Sequence, residues 1–434
     1  MRLRLLACAL IAALAAALLG TPAQAAPRKP GTVGLVSFTK GSTYEVDGKR
    51  YARVRITWPK SRNATRYQVF VARTKTNVAK ARKPKVTVRG TQAVVRELRR
   101  GTTYWFQVRA LNGSRAGNRS ARVARVTPVA SADLSTAAHP THSMLSYNVC
   151  SNACTSRPWE RRQPLVVNQV LAVRPGVVAL QEASRWSTTI PGYVEADGGR
   201  DNRILYRPGV YEQVEQALTA EQQSADCAIA RTPNGRKVLD EDGEPVRVEP
   251  CVLPVDGVAD PPGKDAPWVM LRHRATGQEV LFVGVHLLTG SSNANARYRA
   301  TQVHALFADL DAQLTWWGRD LRSTPIALIG DFNTNRSRTN HVVVESAMKQ
   351  YGFWDSYEQA RNLSRQHQNT ANPNWQWRTP TIGVTWGDHV DKVWVRPGRS
   401  LVRSWANVGL MRGTQYVSPL PSDHHPLLVR AQLS

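Results

Sequence analysis

Acidic residues are almost absent from the first quarter of the sequence. Residues 27–127 contain 3 Asp+Glu against 25 Lys+Arg, a balance of +22, in a chain of 434 residues whose net charge is +26. Residues 128–434 are nearly neutral, with 31 basic and 29 acidic residues. This asymmetry predicts two domains, and the uncompensated charge predicts a polyanion as the partner of the first.

Long apolar runs are also missing after the first 25 residues. No later stretch is apolar over the roughly 18 residues that a membrane span needs. The start of the chain combines Arg2 and Arg4, an apolar run and the small residues Ala23 and Ala25. This pattern is typical of a secretory signal peptide over residues 1–25, so we expect an exported protein without a transmembrane segment. A retained N-terminal anchor is the alternative.

Cysteine is scarce, with five residues in the chain, and Cys8 would leave with the signal peptide. An even number of remaining cysteines in an exported chain predicts disulfide bonds, although four cysteines allow three connectivities. We favour Cys150–Cys154 and Cys227–Cys251, because each pair closes its own local segment. A zinc site is the competing interpretation, but these spacings match no zinc pattern.

Residues 26–130 form the first predicted domain, which is expected to be all-β. Its short alternating runs are YARVRITW (51–58), RYQVFVAR (66–73), TQAVVREL (91–98) and TYWFQVRALN (103–112). Their spacing favours a β-sandwich. With Trp58, Tyr67, Leu98 and Tyr104 as landmarks, the segment resembles a fibronectin type III domain, in which Tyr104 would be the corner tyrosine. A stretch rich in Pro, Ala, Ser and Thr leads into a predicted linker, residues 131–142.

Residues 143–434 form the second predicted domain, where strand-like runs alternate with helical segments. The clearest helices are expected near 160–172, 296–316 and 340–350. Residues 217–266 have the composition of a loop and contain the second cysteine pair. About 290 residues of mixed elements can bury one large core.

Polar residues recur in this second domain where an apolar run ends. They are Asn148, Glu182, His286, Asp331, Asn333, Asp391, Asp423 and His424. Each alone could be a strand terminator or a cap. Ligands usually bind at loops beside strand ends in layered α/β domains, so the recurrence of Asn, Glu, Asp and His there predicts a functional site.

The order of these residues carries a family resemblance. It reads Asn148, then Gln181-Glu182, His286-Leu287, Gly330-Asp331-Phe332-Asn333, Asp391, and Ser422-Asp423-His424-His425-Pro426. In this order the second domain resembles the endonuclease/exonuclease/phosphatase superfamily, to which deoxyribonuclease I belongs. The resemblance implies a four-layer α/β (α+β) sandwich with two central sheets. The whole chain is therefore expected to be multidomain, an all-β fibronectin type III-like sandwich followed by this α/β domain.

The residue types fit phosphodiester hydrolysis. The carboxylates of Glu182 and Asp331, with the amide oxygens of Asn148 and Asn333, are hard ligands that suit Mg²⁺ better than zinc; Mn²⁺ and Ca²⁺ are alternatives. Histidine titrates near neutrality and can accept a proton from water. A carboxylate such as Asp391 could orient His424 and stabilise its cation.

The resemblance implies a role for each matching residue. Glu182 would be the main metal ligand, with Asn148 and Asp423 contributing to the metal sphere. Asp331 and Asn333 would orient the nucleophile and phosphate, or hold a second ion. His424 would be the base paired with Asp391, and His286 would contact the phosphoryl oxygen.

Three further positions are less specific. Arg203 and Arg297 could reach a substrate phosphate, but surface arginines are common. His425 should point to the opposite face from His424, because neighbouring side chains alternate along an extended chain.

The resemblance leaves the substrate open. The basic first domain favours an exported nuclease of low sequence specificity that binds nucleic acid through its phosphates. A phosphoesterase of the sphingomyelinase or inositol-phosphate type is the alternative, and the tryptophan-rich stretch 372–386 keeps it open. Other extracellular polyanions could also be the partner, and a non-catalytic polyanion-binding surface protein is the alternative of another class.

Overall fold

The computed structural model describes residues 27–129, 138–196, 201–214, 265–336, 341–381 and 388–434, with Ala132, Leu134 and residues 252–254. The predicted signal peptide and the predicted Cys227–Cys251 pair lie outside these residues. In the described part of the chain, no helix is both long and apolar enough to cross a membrane.

The N-terminal module is a sandwich of two β-sheets. Its elements are β1 (Ser37–Val46), β2 (Lys49–Thr57), β3 (Arg66–Ala72), α1 (Lys75–Lys80), β4 (Val86–Val88), β5 (Gln92–Leu98), β6 (Thr103–Asn112), β7 (Arg115–Arg119) and β8 (Val123–Val126). Strands β1, β2 and β5 form one side, and β3, β4, β6, β7 and β8 form the other. Trp58, Tyr67, Leu98 and Tyr104 all lie in the core between them, and Tyr104 Oη accepts a hydrogen bond from the Arg99 amide at 3.2 Å.

In its described residues, the second domain contains two larger sheets and four α-helices. Its strands are β9 (His142–Asn148), β10 (Val177–Gln181), β11 (Val194–Ala196), β12 (Arg203–Tyr206), β13 (Tyr211–Gln213), β14 (Val252–Pro254), β15 (Asp265–His273), β16 (Glu279–His286), β17 (Ile326–Asp331), β18 (Trp354–Asp355), β19 (Asn362–Ser364), β20 (Asp391–Val395), β21 (Ser400–Asn407), β22 (Met411–Arg412), β23 (Gln415–Tyr416) and β24 (Leu427–Leu433). Its helices are α2 (Trp159–Val173), α3 (Asn293–Trp316), α4 (His341–Gln350) and α5 (Ser356–Gln359). The three longer helices lie where the sequence predicts them.

These elements stack in four layers because both sheets are apolar on both faces. One sheet has the order β11-β12-β10-β9-β24-β21-β19, and the other has β13-β15-β16-β17-β20-β18. Residues such as Val429 and Phe282 pack between the two sheets. Helix α2 covers the outer face of the first sheet through Val166, and α3 covers the second through Phe307. This α+β architecture agrees with the sandwich that the resemblance implies.

The two modules share one sheet. Strand β19 pairs with β21 on one side and with β1 on the other, where Lys40 faces Asn362, so β1, β2 and β5 extend the first sheet of the second domain to ten strands. The junction is also polar and buried. Arg125 is 1% exposed and donates hydrogen bonds of 3.1 Å to the carbonyls of Tyr357 and Ala360. The modules are thus joined by main-chain pairing and buried hydrogen bonds.

Candidate active site

The polar strand ends meet at one edge of the two central sheets. Strands β9 and β10 are parallel, with Asn148 opposite Gln181, and β16 and β17 are parallel, with His286 opposite Asp331. Strand β20 runs antiparallel to β17 and begins at the same edge, because Asp391 pairs with Asp331. Parallel strands that end together bring their carboxyl-terminal residues side by side, which explains this convergence.

Gly330 allows the close approach of β17 to β16 just before Asp331. A Cβ at position 330 would lie 1.7 Å from the carbonyl oxygen of Val285 on the neighbouring strand. Any larger residue would therefore push the two strands apart. The glycine fixes the position of the Asp331 carboxylate relative to His286.

Two carboxylates face one another across the Asn148 amide. Asn148 Nδ2 donates to Glu182 Oε1 at 2.9 Å and to Asp331 Oδ2 at 3.1 Å. Glu182 has a φ of 52°, in the left-handed region that non-glycine residues seldom adopt. Such backbone strain is common where a functional side chain must be aimed. Here it directs the half-exposed Glu182 towards the buried Asp331.

His424 and Asp391 form the closest acid–imidazole pair at this site. His424 Nδ1 lies 2.9 Å from Asp391 Oδ2, and its Nε2 lies 3.9 Å from Asp331 Oδ2. The Thr370 hydroxyl accepts from the Asp391 amide at 3.2 Å, which fixes the start of β20. The ring is thus held by one nitrogen while the other faces the Asp331 carboxylate.

The pKa values at the site follow from burial and from these charges. Burial alone would lower the pKa of His424, but the carboxylates of Asp391 and Asp331 outweigh it and hold that pKa well above its usual value. Burial would raise the pKa of Asp331, but the charges of His424 and His286 lower it. Burial raises the pKa of Asp391. Asp331 is therefore a stronger acid than Asp391.

His286 lies between three carboxylates. Its Nε2 is 3.9 Å from both Glu182 Oε1 and Asp331 Oδ2, and its Nδ1 is 3.7 Å from Asp201 Oδ2. Asp201 is a site residue that the sequence analysis missed. Its carbonyl accepts from the Ala183 amide at 2.7 Å, which connects it to the residue after Glu182. No motif marked it, since it follows no apolar run.

Asn333 and Asp423 occupy the margins of the site. Asn333 donates from Nδ2 to the Leu287 carbonyl at 2.9 Å, and its amide donates to Asp331 Oδ1 at 2.8 Å. The Asp423 carboxylate lies beside Cys150 and Cys154, within 4.8 Å of their sulfur atoms. Asn333 therefore orients Asp331, and the Asp423 charge contributes to raising the pKa of His424.

The donor set fits a divalent cation of the hard type. The side-chain amide nitrogen of Asn148 lies between two carboxylate oxygens. A positive charge is stabilised at this position, because both oxygens carry negative charge. Glu182 and Asp331 could hold an ion there. The predicted oxygen-ligand role of Asn148 differs from the observed arrangement, because its Oδ1 accepts from the Cys150 amide at 3.0 Å. The Asn148 side chain would have to rotate to offer that oxygen to a metal.

A disulfide and a buried arginine brace the loop after β9. Cys150 is bonded to Cys154 in the structure, so neither thiolate can serve as a metal ligand. Arg162 donates to the Val149 and Pro421 carbonyls, both at 2.9 Å, and to the Cys150 carbonyl at 2.7 Å. It thereby ties the Asn148 loop to the segment that precedes His424.

The two arginines proposed for phosphate contact are placed differently. Arg203 donates to Glu195 at 2.6 Å and to the Ala183 carbonyl at 3.1 Å, so it is engaged next to the site. Arg297 is exposed on α3, and none of its described contacts involves a site residue. The buried Arg299, in the second turn of α3, instead donates a hydrogen bond of 2.9 Å to the carbonyl of Leu288. Leu288 follows His286 by two residues.

His425 lies on the other side of the chain from His424. Its ring stacks on Tyr416 with centroids 3.8 Å apart, and Asn372 Nδ2 lies 3.3 Å from its Nε2. It is 3% exposed, and burial lowers its pKa to about 3. It is a neutral packing residue in this position.

One comparison with known proteins identifies a family. Residues 145–424 match the endonuclease/exonuclease/phosphatase family. No curated protein sequence matches the chain. Solved structures that resemble it include an endonuclease/exonuclease/phosphatase family protein from Bacteroides thetaiotaomicron, which is 18% identical, covers 68% of this chain and 99% of its own, and has a TM-score of 0.45.

Two other solved structures that resemble the chain are of a phosphatase and of a protein with bound DNA. A mannosyl-6-phosphatase from Bacteroides thetaiotaomicron VPI-5482 is 19% identical over 67% of this chain and 99% of its own, with a TM-score of 0.45. TDP2 from D. rerio, complexed with a single-strand DNA product, is 12% identical over 67% of this chain and 99% of its own, with a TM-score of 0.43. Structural similarity at such low sequence identities and TM-scores gives no information on the substrate of this chain.

Proposed function

The chain belongs to the endonuclease/exonuclease/phosphatase family and is a phosphoric ester hydrolase of that metal-dependent family, and from this premise we propose that it is an exported nuclease of low sequence specificity. The observation that supports hydrolytic activity is the alignment of Asp391, His424 and Asp331 beside Glu182. His424 is held at Nδ1 by Asp391, and its Nε2 faces the carboxylate pair.

Each side chain of the site has a separate role in the in-line attack of water on phosphorus. Asp391 fixes the tautomer of His424 and stabilises its cation, so that Nε2, when it is unprotonated, can accept a proton from water. His286 would donate a hydrogen bond to a phosphoryl oxygen or to the leaving oxygen. A divalent cation held by Glu182 and Asp331, when bound, supplies positive charge for the phosphoryl oxygens. We propose Mg²⁺ as that ion, with Mn²⁺ and Ca²⁺ as alternatives, because the donors are hard oxygens.

Charge supports nucleic acid as the substrate. The module of residues 27–127 carries a balance of +22, and lysine and arginine contacts to phosphates give affinity without sequence preference. We propose that this module is fibronectin type III-like. Its two-sheet sandwich and the hydrogen bond of Tyr104 to the backbone five residues upstream support that assignment.

A phospholipid headgroup is a second candidate substrate, and one exposed side chain favours it. Trp377 is 38% exposed and lies in the segment that follows Asn372, whose amide donates to the Asp423 carbonyl. An exposed tryptophan beside a phosphoesterase site could insert into a lipid surface. Trp377 is the single exposed aromatic residue in the described part of the chain, so the charge of the N-terminal module weighs more.

One assay separates these candidates. The full-length protein is offered plasmid DNA, RNA, sphingomyelin vesicles and inositol phosphates, with Mg²⁺ and with EDTA. We expect nicking of plasmid DNA that EDTA abolishes and that shows no preferred cleavage sequence. Hydrolysis of sphingomyelin with intact DNA would assign the enzyme to phospholipids, and no EDTA-sensitive hydrolysis of any substrate would contradict the proposal.

A further inference from the structure

A basic groove lies where the N-terminal module joins the catalytic sheet. Its volume is about 440 Å³, and it is lined by Lys40, Gly41, Ser42, Arg53, Arg55, Val94, Arg96, Arg361 and Asn362. The first seven residues come from β1, β2 and β5, and the last two from β19 and the residue before it. Both modules therefore build the groove.

The groove is the outward face of the shared sheet. Along β2, Val54 and Ile56 are buried, whereas Arg53 and Arg55 point away from the core. Arg55 pairs directly with Lys40, and Lys40 pairs with Asn362 on the next strand. Neighbouring strands are about 4.8 Å apart, so the cations of this face are concentrated within roughly 15 Å across the sheet.

This positive charge has little compensation from the protein. None of the lining residues is acidic. In the described part of the chain, Lys40, Arg55 and Arg96 form no salt bridge, and the nearby Glu45 and Glu97 pair with Arg50 and Lys85 instead. Like charges directly opposite each other destabilise a sheet. Their repulsion would be relieved by a bound polyanion.

The groove is connected to the active site by a short stretch of chain. Ala371 lies nine residues after Asn362 of the groove and forms a β-bridge with His424. Nine extended residues span at most about 30 Å. Duplex DNA rises 3.4 Å per base pair, so about nine base pairs cover that distance. The Gly41 N–H donates to the Arg361 carbonyl at 2.9 Å, which attaches β1 of the groove to the stretch of chain that leads to the active site.

We propose that this groove binds the sugar-phosphate backbone of a nucleic acid at a distance from the bond that is cleaved, which rests on the proposed nuclease activity. The groove is concave, and Val94 is its only large apolar lining residue. A lipid surface is flat and requires exposed apolar side chains, so this site suits a chain-like polyanion better. Contacts to phosphates alone give affinity without sequence preference.

The test compares two triple variants with the same loss of charge. The groove variant is Lys40→Ala, Arg55→Ala and Arg96→Ala, and the control is Arg82→Ala, Lys83→Ala and Arg89→Ala, whose side chains are exposed elsewhere in the module. Binding of a fluorescent 30-base-pair duplex (about three times the estimated span) is measured in EDTA at several salt concentrations. We expect the groove variant to bind at least about tenfold more weakly, with a salt slope reduced by up to about 2.7.

The control variant distinguishes binding at the groove from binding that depends only on the total positive charge of the module. Equal losses in both variants would overturn the proposal, because then only the total charge matters. A larger loss on phosphatidylglycerol vesicles than on DNA would assign the groove to a membrane instead. Circular dichroism melting of both variants verifies that each is folded.

Activity is measured separately so that the two proposals can fail independently. Both variants should hydrolyse bis(p-nitrophenyl) phosphate as the parent protein does, since neither changes the active site. Only the groove variant should lose the preference for a 30-base-pair over a 6-base-pair duplex. If the parent protein hydrolyses no phosphodiester, the nuclease proposal fails, while the binding comparison still decides whether the groove holds DNA.

Discussion

The N-terminal module and the catalytic domain divide charge and chemistry in opposite ways. Residues 27–127 hold a balance of +22 and no histidine, whereas all ten histidines and every proposed active-site residue lie beyond residue 138. One region can attract a polyanion but offers no general base, and the other carries the base and its acids but is almost neutral. The shared sheet of ten strands connects the regions that carry these two properties.

The largest expected effect distinguishes two adjacent residues of the catalytic domain. His424→Ala removes the group that faces Asp331, so we expect turnover to fall by about 10²–10⁴-fold. His425→Ala should retain most of the turnover and instead lower the melting temperature, because it deletes a buried ring stacked on Tyr416. Steady-state kinetics and thermal melts of both variants test this. Equal losses of turnover would mean that the roles are assigned wrongly.

The next effect concerns metal binding. Glu182→Gln removes one of the two carboxylate charges around Asn148, so the Mg²⁺ concentration for half-maximal turnover should rise by about tenfold or more. Glu195→Gln is a suitable control, since that carboxylate pairs with Arg203 outside the metal position. The measurement is a Mg²⁺ titration of turnover for each variant. An unchanged titration for Glu182→Gln would remove this residue from the metal site.

The connection between the two regions depends on Arg125. Arg125→Ala leaves the buried carbonyls of Tyr357 and Ala360 without their donor, which we expect to cost about 3 kcal/mol of stability. Calorimetry should then show two unfolding transitions where the parent protein shows one. The exposed Arg122→Ala is the matched control and should change stability by less than about 0.5 kcal/mol. A single unchanged transition in Arg125→Ala would show that the modules are coupled mainly by the β1–β19 pairing.

The smallest effect is a pH dependence confined to the catalytic domain. His142 joins the two central sheets through Tyr211 and Gln278, and burial lowers its pKa to about 4. The unfolded chain, with an ordinary histidine pKa near 6.5, binds the proton first as the pH falls. Stability should therefore decrease between pH 6.5 and 4, by about 2 kcal/mol from this residue at pH 5.

Urea unfolding of the parent protein and of His142→Gln at pH 7 and 5 measures this contribution. The variant should lose part of the pH dependence, whereas the exposed His304→Gln should not. Identical pH dependence in both variants would exclude His142 as the titrating group. The N-terminal module contains no histidine and should not add to the effect.

Much of the fold could be predicted because it depends on local patterns. The helix expected near 160–172 is α2 (Trp159–Val173), and TYWFQVRALN is the strand β6 (Thr103–Asn112). Apolar periodicity specifies such elements without reference to the rest of the chain. The polar residues at the strand ends were identified for the same reason, since each lies at one end of an apolar run.

The unpredicted parts depend on contacts between distant residues. Strand β19 has three residues, and its pairing with β1 joins Lys40 to Asn362, far apart in the sequence. Thr370 and Asp201 lie in loops without a repeating pattern and reach the site only because the strands around them converge. No local propensity encodes such pairings.

The sequence by itself determined the charge asymmetry, the main elements and the residue types of the site. The alternation of apolar and polar residues fixes which side chains are buried, and an excess of lysine and arginine needs no structure to be counted. Only the tertiary structure decided which nitrogen of His424 faces Asp331 and which atom of Asn148 meets the carboxylates. It also decided that Lys40, Arg55 and Arg361 line one groove, because that depends on sheet register across two modules.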